Sequence, residues 1–439
     1  MANTYLTRTV SSSPTNPDKF TISVWVKRGN LSNRCIIGNY ASSTFYGKMQ
    51  FDSNDQLEYY QQNDGSQSAY VRTNRKFRDT NGFYHIVFAF DTSLGTASDR
   101  LKIYVNGVQE TSMANSSYPA QNLDIRLNQA SQTITIGQDG NGNGYFDGIM
   151  SHFHLVDGTA LTASTFGSQD ATTGEWKINT SPSYTVGDDG FFILKDTNSG
   201  TDQSANSNNF TVGGGTLTKT QDCPSNVFCT LNPLVGFASG TGTTHENAPT
   251  YSNGNTKYTK SQATWSTQAC TLGATSGKYY WEAKMENNGG DPRMYIGIVD
   301  AQYLNDERGH VTGQTTNGVG YQSHNGNRKA SGSSASYGNT WTSSNTMGIA
   351  LDLDNHKIYF AKDNVWQNSG VPTSGSTGTG AISLTTGRTY IPSFTIHESL
   401  FLIHFCTPQG LWMSKNPMKS KKKILLSKWV HTFLFSYSS

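Results

Sequence analysis

The amino-acid sequence predicts an all-β protein built from two tandem antiparallel β-sandwiches. Apolar and polar residues alternate along most apolar segments, a period typical of half-buried strands, whereas helical periodicity hardly appears. The 44 glycines and a charged fraction of only 15% indicate many turns and strands. No helical crossover separates the predicted strands, so they are expected to pair antiparallel. At about 150 residues per domain, a chain of 439 residues makes two or three domains.

The first predicted sandwich contains three clear strands. The segments FTISVWVKR (20–28) and FYHIVFAFD (83–91) place an apolar residue at every second position, which predicts strands with one buried face. The segment LKIYV (101–105) leads into Asn106-Gly107, the dipeptide that most strongly indicates a tight hairpin. A return strand is therefore expected directly after Gly107.

The second predicted sandwich repeats this pattern with different residues. The segment KYYWEAKM (278–285) alternates apolar and polar side chains, and so does MGIALDLD (347–354). The chain then turns at Asp354 and returns through Ile358 and Phe360. These residues predict a hairpin with one face in water.

The predicted organisation has four parts. Residues 1–166 form the first sandwich and residues 263–397 the second. Residues 167–262 are a connector rich in Gly, Ser and Asn, which is expected to add a strand or two to the first sandwich. Alternation stops beyond Phe394, so the lysine-rich tail 398–439 is expected to pack poorly from about Ser399. A frameshifted end, or a membrane-surface or assembly segment, would also explain this tail.

The charge distribution argues against nucleic-acid binding. The net charge is +2, but the tail from His397 carries +5 and the rest of the chain −3, so the body has no basic field. The start, MANTYLTRTVSSSP, lacks the apolar core of a signal peptide. No apolar run reaches the 18 or so residues that cross a bilayer. A protein made in the cytoplasm, with no membrane span, is expected.

The five cysteines are too few and too scattered for a disulfide framework or a paired zinc motif. They are Cys35, Cys223, Cys229, Cys270 and Cys406. A bridge between Cys223 and Cys229 is one possibility, and reduced thiols are the other. The lack of an export signal favours reduced thiols.

Two sets of segments resemble known families. FTISVWVKR, YHIVFAFD, RLKIYVNGVQ, TITIG and YFDGIMSHFHLVDGTALT resemble, in this order, a LamG-type concanavalin A-like lectin/glucanase domain over about residues 3–166. SGKYYWEAKM, YIGIV, GVGYQ, SYGNTWTSSNTMGIALDLDNHKIYFAKDNVWQ and YIPSFTI resemble a SPRY domain over about residues 264–396. Both resemblances imply antiparallel jelly-roll sandwiches of concanavalin A-like topology.

The combination of the two modules with certain linker segments resembles structural proteins of tailed, especially marine, bacteriophages. The segments are NTYLTR, WVKRGN, TTGEWK, NNFTVGG and CPSNVFCTLNPL. This resemblance implies a virion protein of the tail or capsid surface, made in the host cytoplasm, that binds host-surface glycan or neighbouring virion proteins. A homo-oligomer is compatible with it.

Two features depart from the LamG and SPRY families. Ser151 and His152 replace an acidic pair, and the final SPRY strand is expected to be missing or degraded after Ile396.

Calcium is the one cofactor that the sequence suggests. Jelly-roll lectins commonly hold it in loops of Asp and Asn, because hard cations take several oxygen ligands. The candidate ligands are Asp139, Asn141, Asn143 and Asp147. A polar hairpin tip, in which Asn and Gly serve backbone geometry alone, is the alternative. A second cluster resembles the opening of related lectin-like domains and comprises Asp196, Asp202, Asn206, Asn208 and Asn209.

Three histidines form a weaker metal candidate. His152 and His154 alternate along one strand, and His85 on another strand could supply a third ligand. No further residue supports a metal, so solvent-facing histidines are the favoured interpretation. No metal is assigned to them.

The candidate binding residues of the second sandwich lie in loops. They are His324, Asn325, Arg328 and Tyr337, which are expected to be exposed and able to contact a sugar or a protein. Tyr321 and Trp341 adjoin strands and are expected in the core. Asp352 and Asp354 are expected to face solvent and support a turn.

The sequence indicates a protein without catalytic activity. Retaining glucanases of the concanavalin A-like superfamily need two carboxylates from an E-x-D-x-x-E strand, and this motif is absent from the sequence. A nucleophile elbow and a Walker loop are absent too. The expected function is therefore recognition of carbohydrate or of virion proteins. The alternatives are a glycan depolymerase and a purely structural decoration protein.

Overall fold

The structure is a computed structural model that describes residues 3–195, 199–238, 250–260, 265–287, 293–307, 310–397, 399–404 and 432–435. The described residues are strands, turns and short 3-10 segments, and none of them lies in an α-helix. The predicted all-β class is confirmed. The residues up to Val227, with Thr432–Phe435, form one compact unit, and those from Phe228 to His404 form another.

The first unit contains seventeen of the described strands before residue 228. These are β1 (Tyr5–Thr9), β2 (Lys19–Arg28), β3 (Arg34–Ser42), β4 (Phe45–Phe51), β5 (Gln56–Asn63), β6 (Ser66–Lys76), β7 (Tyr84–Asp91), β8 (Leu101–Val105), β9 (Val108–Glu110), β10 (Met113–Ser117), β11 (Thr133–Ile136), β12 (Gly148–Asp157), β13 (Gly167–Gln169), β14 (Trp176–Ile178), β15 (Phe191–Ile193), β16 (Thr211–Gly214) and β17 (Thr218–Thr220). Short 3-10 segments lie at Ala97–Asp99 and Ala163–Thr165.

The second unit contains the remaining strands up to His404. These are β18 (Leu231–Ala238), β19 (Thr250–Ser252), β20 (Lys257–Lys260), β21 (Ser266–Cys270), β22 (Lys278–Asn287), β23 (Met294–Asp300), β24 (Val319–Gln322), β25 (Asn327–Ala330), β26 (Ser333–Ser336), β27 (Thr346–Asp352), β28 (Lys357–Lys362), β29 (Val365–Trp366), β30 (Ile382–Ser383), β31 (Tyr390–Ile396) and β32 (Ser399–His404). Its 3-10 segments are Ala301–Glu307, Gln367–Ser369 and Gly375–Thr377. The last described strand, β33 (Thr432–Phe435), belongs to the first unit.

Two antiparallel sheets face each other in the first unit. The front sheet has the order β10-β6-β5-β4-β3-β11-β1-β16, and the back sheet β17-β33-β12-β2-β7-β8-β9 with β15 also on β12. Alternate residues of both sheets, such as Phe20, Met49 and Phe88, fill one core between them. The sandwich expected from the alternation is therefore present.

The connector covers the outer face of the back sheet. Trp176 and Tyr184 of the connector, together with Phe166 directly before it, pack with Val87 and Val156, whose side chains lie on that face. The strands β7 and β12 are consequently buried along their whole length, although alternation predicts only one buried face for them. Of the connector 167–262, the strands β13 to β17 lie in the first unit and β18 to β20 in the second.

The second unit is also a two-sheet sandwich. One sheet has the order β18-β21-β31-β23-β24-β25-β26 and the other β19-β20-β32-β22-β27-β28-β29, with β30 on β28. Trp281, Ile296, Ile349 and Phe394 are among the residues of its core. The predicted hairpin around Asp354 is confirmed, because β27 and β28 pair from Met347 and Lys362 to Asp352 and Lys357.

The strand that the sequence led us to expect as missing is present. Ser399–His404 forms β32, which pairs with β20 on one side and with β22 on the other. The expectation of a poorly packed tail is wrong for these six residues, which form backbone hydrogen bonds to a strand on each side, and for Thr432–Phe435, which pair with β12 and β17. Alternation missed β32 because its apolar residues are consecutive, a pattern that does not distinguish a strand from a loop. The lysine run from Lys419 to Lys423 lies outside the described residues.

Candidate functional site

The outer face of the front sheet carries a row of tyrosines. Tyr40, Tyr46, Tyr60 and Tyr70 come from β3, β4, β5 and β6, four neighbouring strands, and each is half-buried. Their ring centroids lie 6.0, 5.6 and 5.4 Å apart in that order. The four rings therefore form one continuous aromatic path across the sheet.

Strand register explains why these side chains meet. Lys48 lies opposite Tyr60, and Tyr60 lies opposite Tyr70 in the antiparallel pairs. Because side chains alternate between the two faces of a strand, Met49 and Tyr59 point into the core while their neighbours point out. We call the outward set the tyrosine face; its members are Tyr40, Tyr46, Lys48, Gln50, Glu58, Tyr60, Gln62, Tyr70 and Arg72.

The phenol groups of the tyrosine face interact with one another and with Glu58. Burial raises the pKa of Tyr46 to about 12, and a hydrogen bond with Tyr60 adds to this rise. Burial likewise raises the pKa of Tyr70 to about 12, with the charge of Glu58 contributing. These hydroxyl groups are neutral at any physiological pH and can donate or accept hydrogen bonds.

Glu58 is the buried carboxyl group of this face. It is 5% exposed, and the Gln50 amide donates a hydrogen bond of 2.7 Å to its Oε1. Burial raises the pKa of Glu58, and the nearby charge of Asp52 raises it further. Arg72 lies beside them, with its guanidinium 5.3 Å from the Tyr70 ring centre and 3.3 Å from the Asp52 carboxylate.

The loop predicted to hold calcium borders the tyrosine face. The backbone of Asp139 passes so close to Gly38 of β3 that a Cβ atom there would lie 2.6 Å from its carbonyl carbon. Gly140 approaches Tyr40 in the same way, at 2.8 Å. The loop between β11 and β12 thus lies against the end of the aromatic path, next to Tyr40.

One carboxylate oxygen of this loop accepts hydrogen bonds from the loop's own backbone. Asp139 Oδ1 accepts hydrogen bonds from the backbone N–H groups of Asn141 and Asn143, at 2.9 and 3.0 Å. Both asparagines are exposed, whereas Asp147 is 6% exposed and its backbone carbonyl accepts from the N–H of Gly29. Asp139 thus has the backbone role expected of a polar hairpin tip.

Four residues of the second predicted cluster form a hydrogen-bond network in the first unit, which we call the Asp202 network. The carboxylate of Asp202 accepts from the backbone N–H groups of Phe192, Ser204 and Asn208, at 2.8, 2.9 and 2.8 Å. Asn206 and Asn208 each donate to the carbonyl of Gly190, and Asn209 accepts from the N–H of Asp202. Asp196 lies outside the described residues.

The Arg8 guanidinium contacts the Asp202 network. It donates a bond of 2.6 Å to the Asn208 side chain and lies 3.7 Å from the buried Asp189 carboxylate. A polar cleft of about 380 Å³ opens beside Arg8, Asn208 and Asn209. In the Asp202 network, the side chains of Asp202 and the asparagines form hydrogen bonds with backbone N–H and carbonyl groups.

The three histidines are buried, and the expectation that they face solvent is wrong. His85, His152 and His154 are each at most 1% exposed beneath the connector. Trp176 donates to His85 Nδ1 at 2.9 Å, so the other ring nitrogen of the neutral imidazole carries the proton and faces Ser23 Oγ. A bulge between Ser151 and His154 interrupts the alternation that the sequence implied. The histidines are buried because the connector excludes solvent from the outer face of the back sheet.

The second unit separates its four candidate binding residues. His324 and Asn325 are exposed in the turn between β24 and β25, and Arg328 is half-buried on β25. Tyr337 is 5% exposed, because its ring packs against Tyr321 and Phe360. The expected exposure of Tyr337 is therefore wrong.

The predicted burial of two aromatic residues in this unit is confirmed, whereas the predicted exposure of two aspartates is right for only one of them. Tyr321 and Trp341 are core residues as predicted. Asp352 is fully buried, contrary to expectation, and binds Lys278 and the amide of Asn355. Asp354 is exposed and supports a turn, accepting from the N–H of Gly277 at 2.7 Å.

Across the described part of the chain, His, Cys, Asp and Glu side chains nowhere gather in groups of three or more that could hold a metal ion. Among the same residues, no helix has the length and apolar character needed to cross a bilayer.

Sequence reasoning missed the tyrosine face. The segments that carry it, FYGKMQF and QLEYYQQN, contain the alternation that would place Tyr46, Lys48 and Tyr60 outward. The missing information was which strands are neighbours, because only pairing brings the tyrosines of four strands into one row.

Comparisons with known families identify both sandwiches. Residues 2–166 match the Laminin_G_3 family of the concanavalin A-like lectin/glucanases superfamily, and residues 278–387 match the SPRY domain family. No curated protein matches the chain.

Several solved structures are similar to parts of the chain. The SPRY domain of human HERC1 is 16% identical with a TM-score of 0.29, covering 41% of this chain and 98% of its own. The PSpry domain of TRIM65 is 13% identical with a TM-score of 0.31, covering 41% and 90%. A heptameric SAP-like pentraxin from Limulus polyphemus is 19% identical with a TM-score of 0.28, covering 40% and 85%.

Fold and family matches together define a chain of two jelly-roll modules. Its first sandwich matches the concanavalin A-like Laminin_G_3 family, and its second matches the SPRY domain family. Both predicted resemblances are confirmed at the level of the domain families.

Proposed function

We propose that this chain is a non-catalytic binding protein whose first unit holds a carbohydrate of a host-cell surface against the tyrosine face. The observation that carries the proposal is the continuous row of Tyr40, Tyr46, Tyr60 and Tyr70 on an outer sheet surface, with amide and charged side chains around it. A lectin-like domain family for residues 2–166 supports it.

The chemistry of the face suits a sugar. The apolar side of a pyranose ring packs against aromatic rings, and its hydroxyl groups bond to nearby amides and carboxyl groups. The tyrosines supply the first kind of contact, while Gln50, Gln62 and Glu58 supply the second. The rings are also held by one another, so little side-chain entropy is lost on binding.

The test compares two tyrosine substitutions. Tyr60→Ala interrupts the aromatic path at its centre, whereas Tyr280→Ala removes a half-exposed outward tyrosine from a strand of the second unit. Both variants and the unaltered protein are applied to a glycan array and to host-surface polysaccharides. We expect saturable binding that falls at least about tenfold with Tyr60→Ala, the loss of roughly 1.4 kcal/mol, and stays unchanged with Tyr280→Ala. Equal binding by both variants would place the site elsewhere.

A glycoside hydrolase is the second candidate, and the environment of Glu58 is what favours it. General acids in glycosidases are carboxyl groups with a raised pKa beside a second carboxylate, and Glu58 lies next to Asp52. Asp52 already accepts backbone N–H bonds and pairs with Arg72, which suits a structural role better. Release of reducing ends that Glu58→Gln abolishes, without loss of binding, would establish the enzyme.

A phage virion is the setting we propose, on the resemblance of the linker segments to structural proteins of tailed phages. There the SPRY domain would contact a neighbouring virion protein, with His324, Asn325 and Arg328 as candidate contacts. Antibodies against the purified protein should label the tail or capsid surface of intact virions. Labelling without any glycan binding would favour the purely structural alternative.

A further inference from the structure

Two cysteines that are distant in sequence meet where β18 begins beside β21. Leu231 lies opposite Cys270 in the antiparallel pair. The N–H of Thr271 donates to the carbonyl of Thr230 at 2.8 Å, and the N–H of Thr230 donates to Thr271 Oγ1 at 2.9 Å. These bonds fix the backbone on both sides of the contact, so the thiols cannot easily drift apart.

The side chains of Cys229 and Cys270 are neighbours across this strand pair. The Cys229 sulfur lies 3.8 Å from the carbonyl oxygen of Leu272, two residues beyond Cys270, and Cys270 itself lies opposite Leu231, two residues beyond Cys229. The nearby Cys229 thiol adds to the rise in the pKa of Cys270 that burial causes. The pair suggested by sequence spacing was Cys223 with Cys229. Cys223 belongs to the first unit and its sulfur lies 3.4 Å from Ser225 Oγ.

We propose that Cys229 and Cys270 form an intrachain disulfide when the protein meets a disulfide oxidant. The Cys229 thiolate attacks one sulfur of a small disulfide such as oxidised glutathione, which forms a mixed disulfide and releases one thiol. The Cys270 sulfur then attacks the Cys229 sulfur, forms the intrachain bond and releases the second thiol. Two cysteine thiols are oxidised, the small disulfide is reduced, and the two thiol protons pass to the products.

Exposure sets the order of these steps. Cys229 is half-buried and reachable by a small oxidant, whereas Cys270 is only 3% exposed. Burial raises the pKa of the Cys270 thiol well above its ordinary value, so little of it is thiolate and the second step is slow. A chain in a reducing cytoplasm keeps both thiols, and the bond forms after the chain reaches an oxidising medium.

The bond would cross-link the first strand of the second unit to the strand beside it. The bond closes a loop between residues 229 and 270, so it lowers the conformational entropy of the unfolded chain. The folded chain needs little rearrangement, because the two cysteines are already neighbours. We expect the oxidised protein to melt roughly 5–10 °C above the reduced protein.

The experiment maps the bond in the intact chain. Folded protein is equilibrated with oxidised glutathione, its remaining thiols are blocked, and it is digested with trypsin without reduction. Cleavage after lysine gives the peptides 220–257 and 261–278, which hold Cys229 and Cys270. Peptide 220–257 also holds Cys223, so the mapping is repeated with Cys223→Ser as the matched control.

The expected result is a linked pair of these peptides in the unaltered protein and in Cys223→Ser, and its loss in Cys229→Ser. Because Cys270→Ser alters a buried site, the half-buried Cys229→Ser is the deciding variant. The melting difference between oxidised and reduced protein should vanish with the link. The proposal is overturned if both peptides remain unlinked at equilibrium, or if Cys229 pairs with Cys223 or Cys406 instead.

Discussion

The buried histidines illustrate how single residues change role once a second layer of chain covers a strand. His85 stacks between Trp25 and Trp176, with centroids 4.7 and 6.0 Å away, and His154 stacks on Phe192 at 3.9 Å. Burial lowers the pKa of His85 and of His152 to about 3, and that of His154 well below its ordinary value. All three are therefore neutral components of an aromatic layer.

This arrangement predicts acid sensitivity of the first unit. An unfolded histidine binds a proton near pH 6.5, whereas folded His85 and His152 do so only near pH 3 and the pKa of His154 is also lowered, so stability is complete above pH 6.5 and falls as the pH drops toward 3. Each histidine contributes about 1.4 kcal/mol per pH unit inside this window. Urea unfolding between pH 7 and pH 4, followed by circular dichroism, measures the slope.

The control for acid sensitivity is His324, which belongs to the second unit and not to the first. His154→Phe should reduce the pH slope by about one third, since it removes one of three coupled groups, whereas His324→Asn should leave it unchanged. A slope that is the same in His154→Phe and in the unaltered protein would contradict the assignment.

Residue exposure was the least predictable property from the sequence. Tyr337 and Asp352 look like surface residues, because one follows a Ser/Gly-rich segment and the other adjoins a polar turn. Each is buried through a partner distant in sequence, Phe360 for the tyrosine and Lys278 for the aspartate. Alternation gives the face on which a side chain lies, but not what covers that face.

At the scale of elements, alternation found the strands with one wet face and failed for segments covered on both. The paired strands β27 and β28 were predicted with their turn. By contrast, β32 was taken for a poorly packed tail, since SLFLIH does not alternate. Its pairing with β20 and β22 could not be predicted from alternation, which indicates the burial of a strand's faces and not its hydrogen-bonded neighbours.

Removal of β32 should destabilise the second unit. Chains ending at residue 398 and at residue 404 differ only in this strand, whose pairing with β20 and β22 contributes several backbone hydrogen bonds of about 1 kcal/mol each. We expect the shorter chain to lose at least about 3 kcal/mol in the unfolding of this unit, measured by urea titration. The longer chain is the matched control, and equal stability of the two would mean that β32 is dispensable.

The loop from Asp139 to Asp147 allows a test of calcium at the same scale. Because Asp139 Oδ1 already accepts two backbone N–H groups, we expect Asp139→Ala to lower stability by about 1 kcal/mol whether or not calcium is present. Thermal melting with millimolar calcium and with chelator should differ by less than about 1 °C. A calcium-dependent rise that Asp139→Ala with Asp147→Ala abolishes would instead establish a cation site.

For the whole molecule, the two-sandwich organisation followed from composition and period, while the use of the connector did not. The outward residues Val87 and Val156 are apolar, and in retrospect they are the signal that the back sheet carries a further layer. The front sheet has Lys48, Tyr60 and Arg72 at outward positions instead. This contrast between the two outer faces is what directs the binding proposal to the front sheet.

The low charge of the chain predicts that its binding depends little on salt. The body carries −3 and the tyrosine face offers rings, amides and phenols, with Arg72 already paired to Asp52. Stacking and neutral hydrogen bonds are not screened by ions. Contacts with a charged polymer do weaken steeply as salt rises, because the release of counterions becomes less favourable. Glycan affinity should therefore change by less than about threefold between about 50 and 500 mM NaCl in equilibrium binding. Lys48→Gln tests the remaining cation of the face: a large loss of affinity at low salt only would show that the ligand is an anionic polysaccharide held by charge.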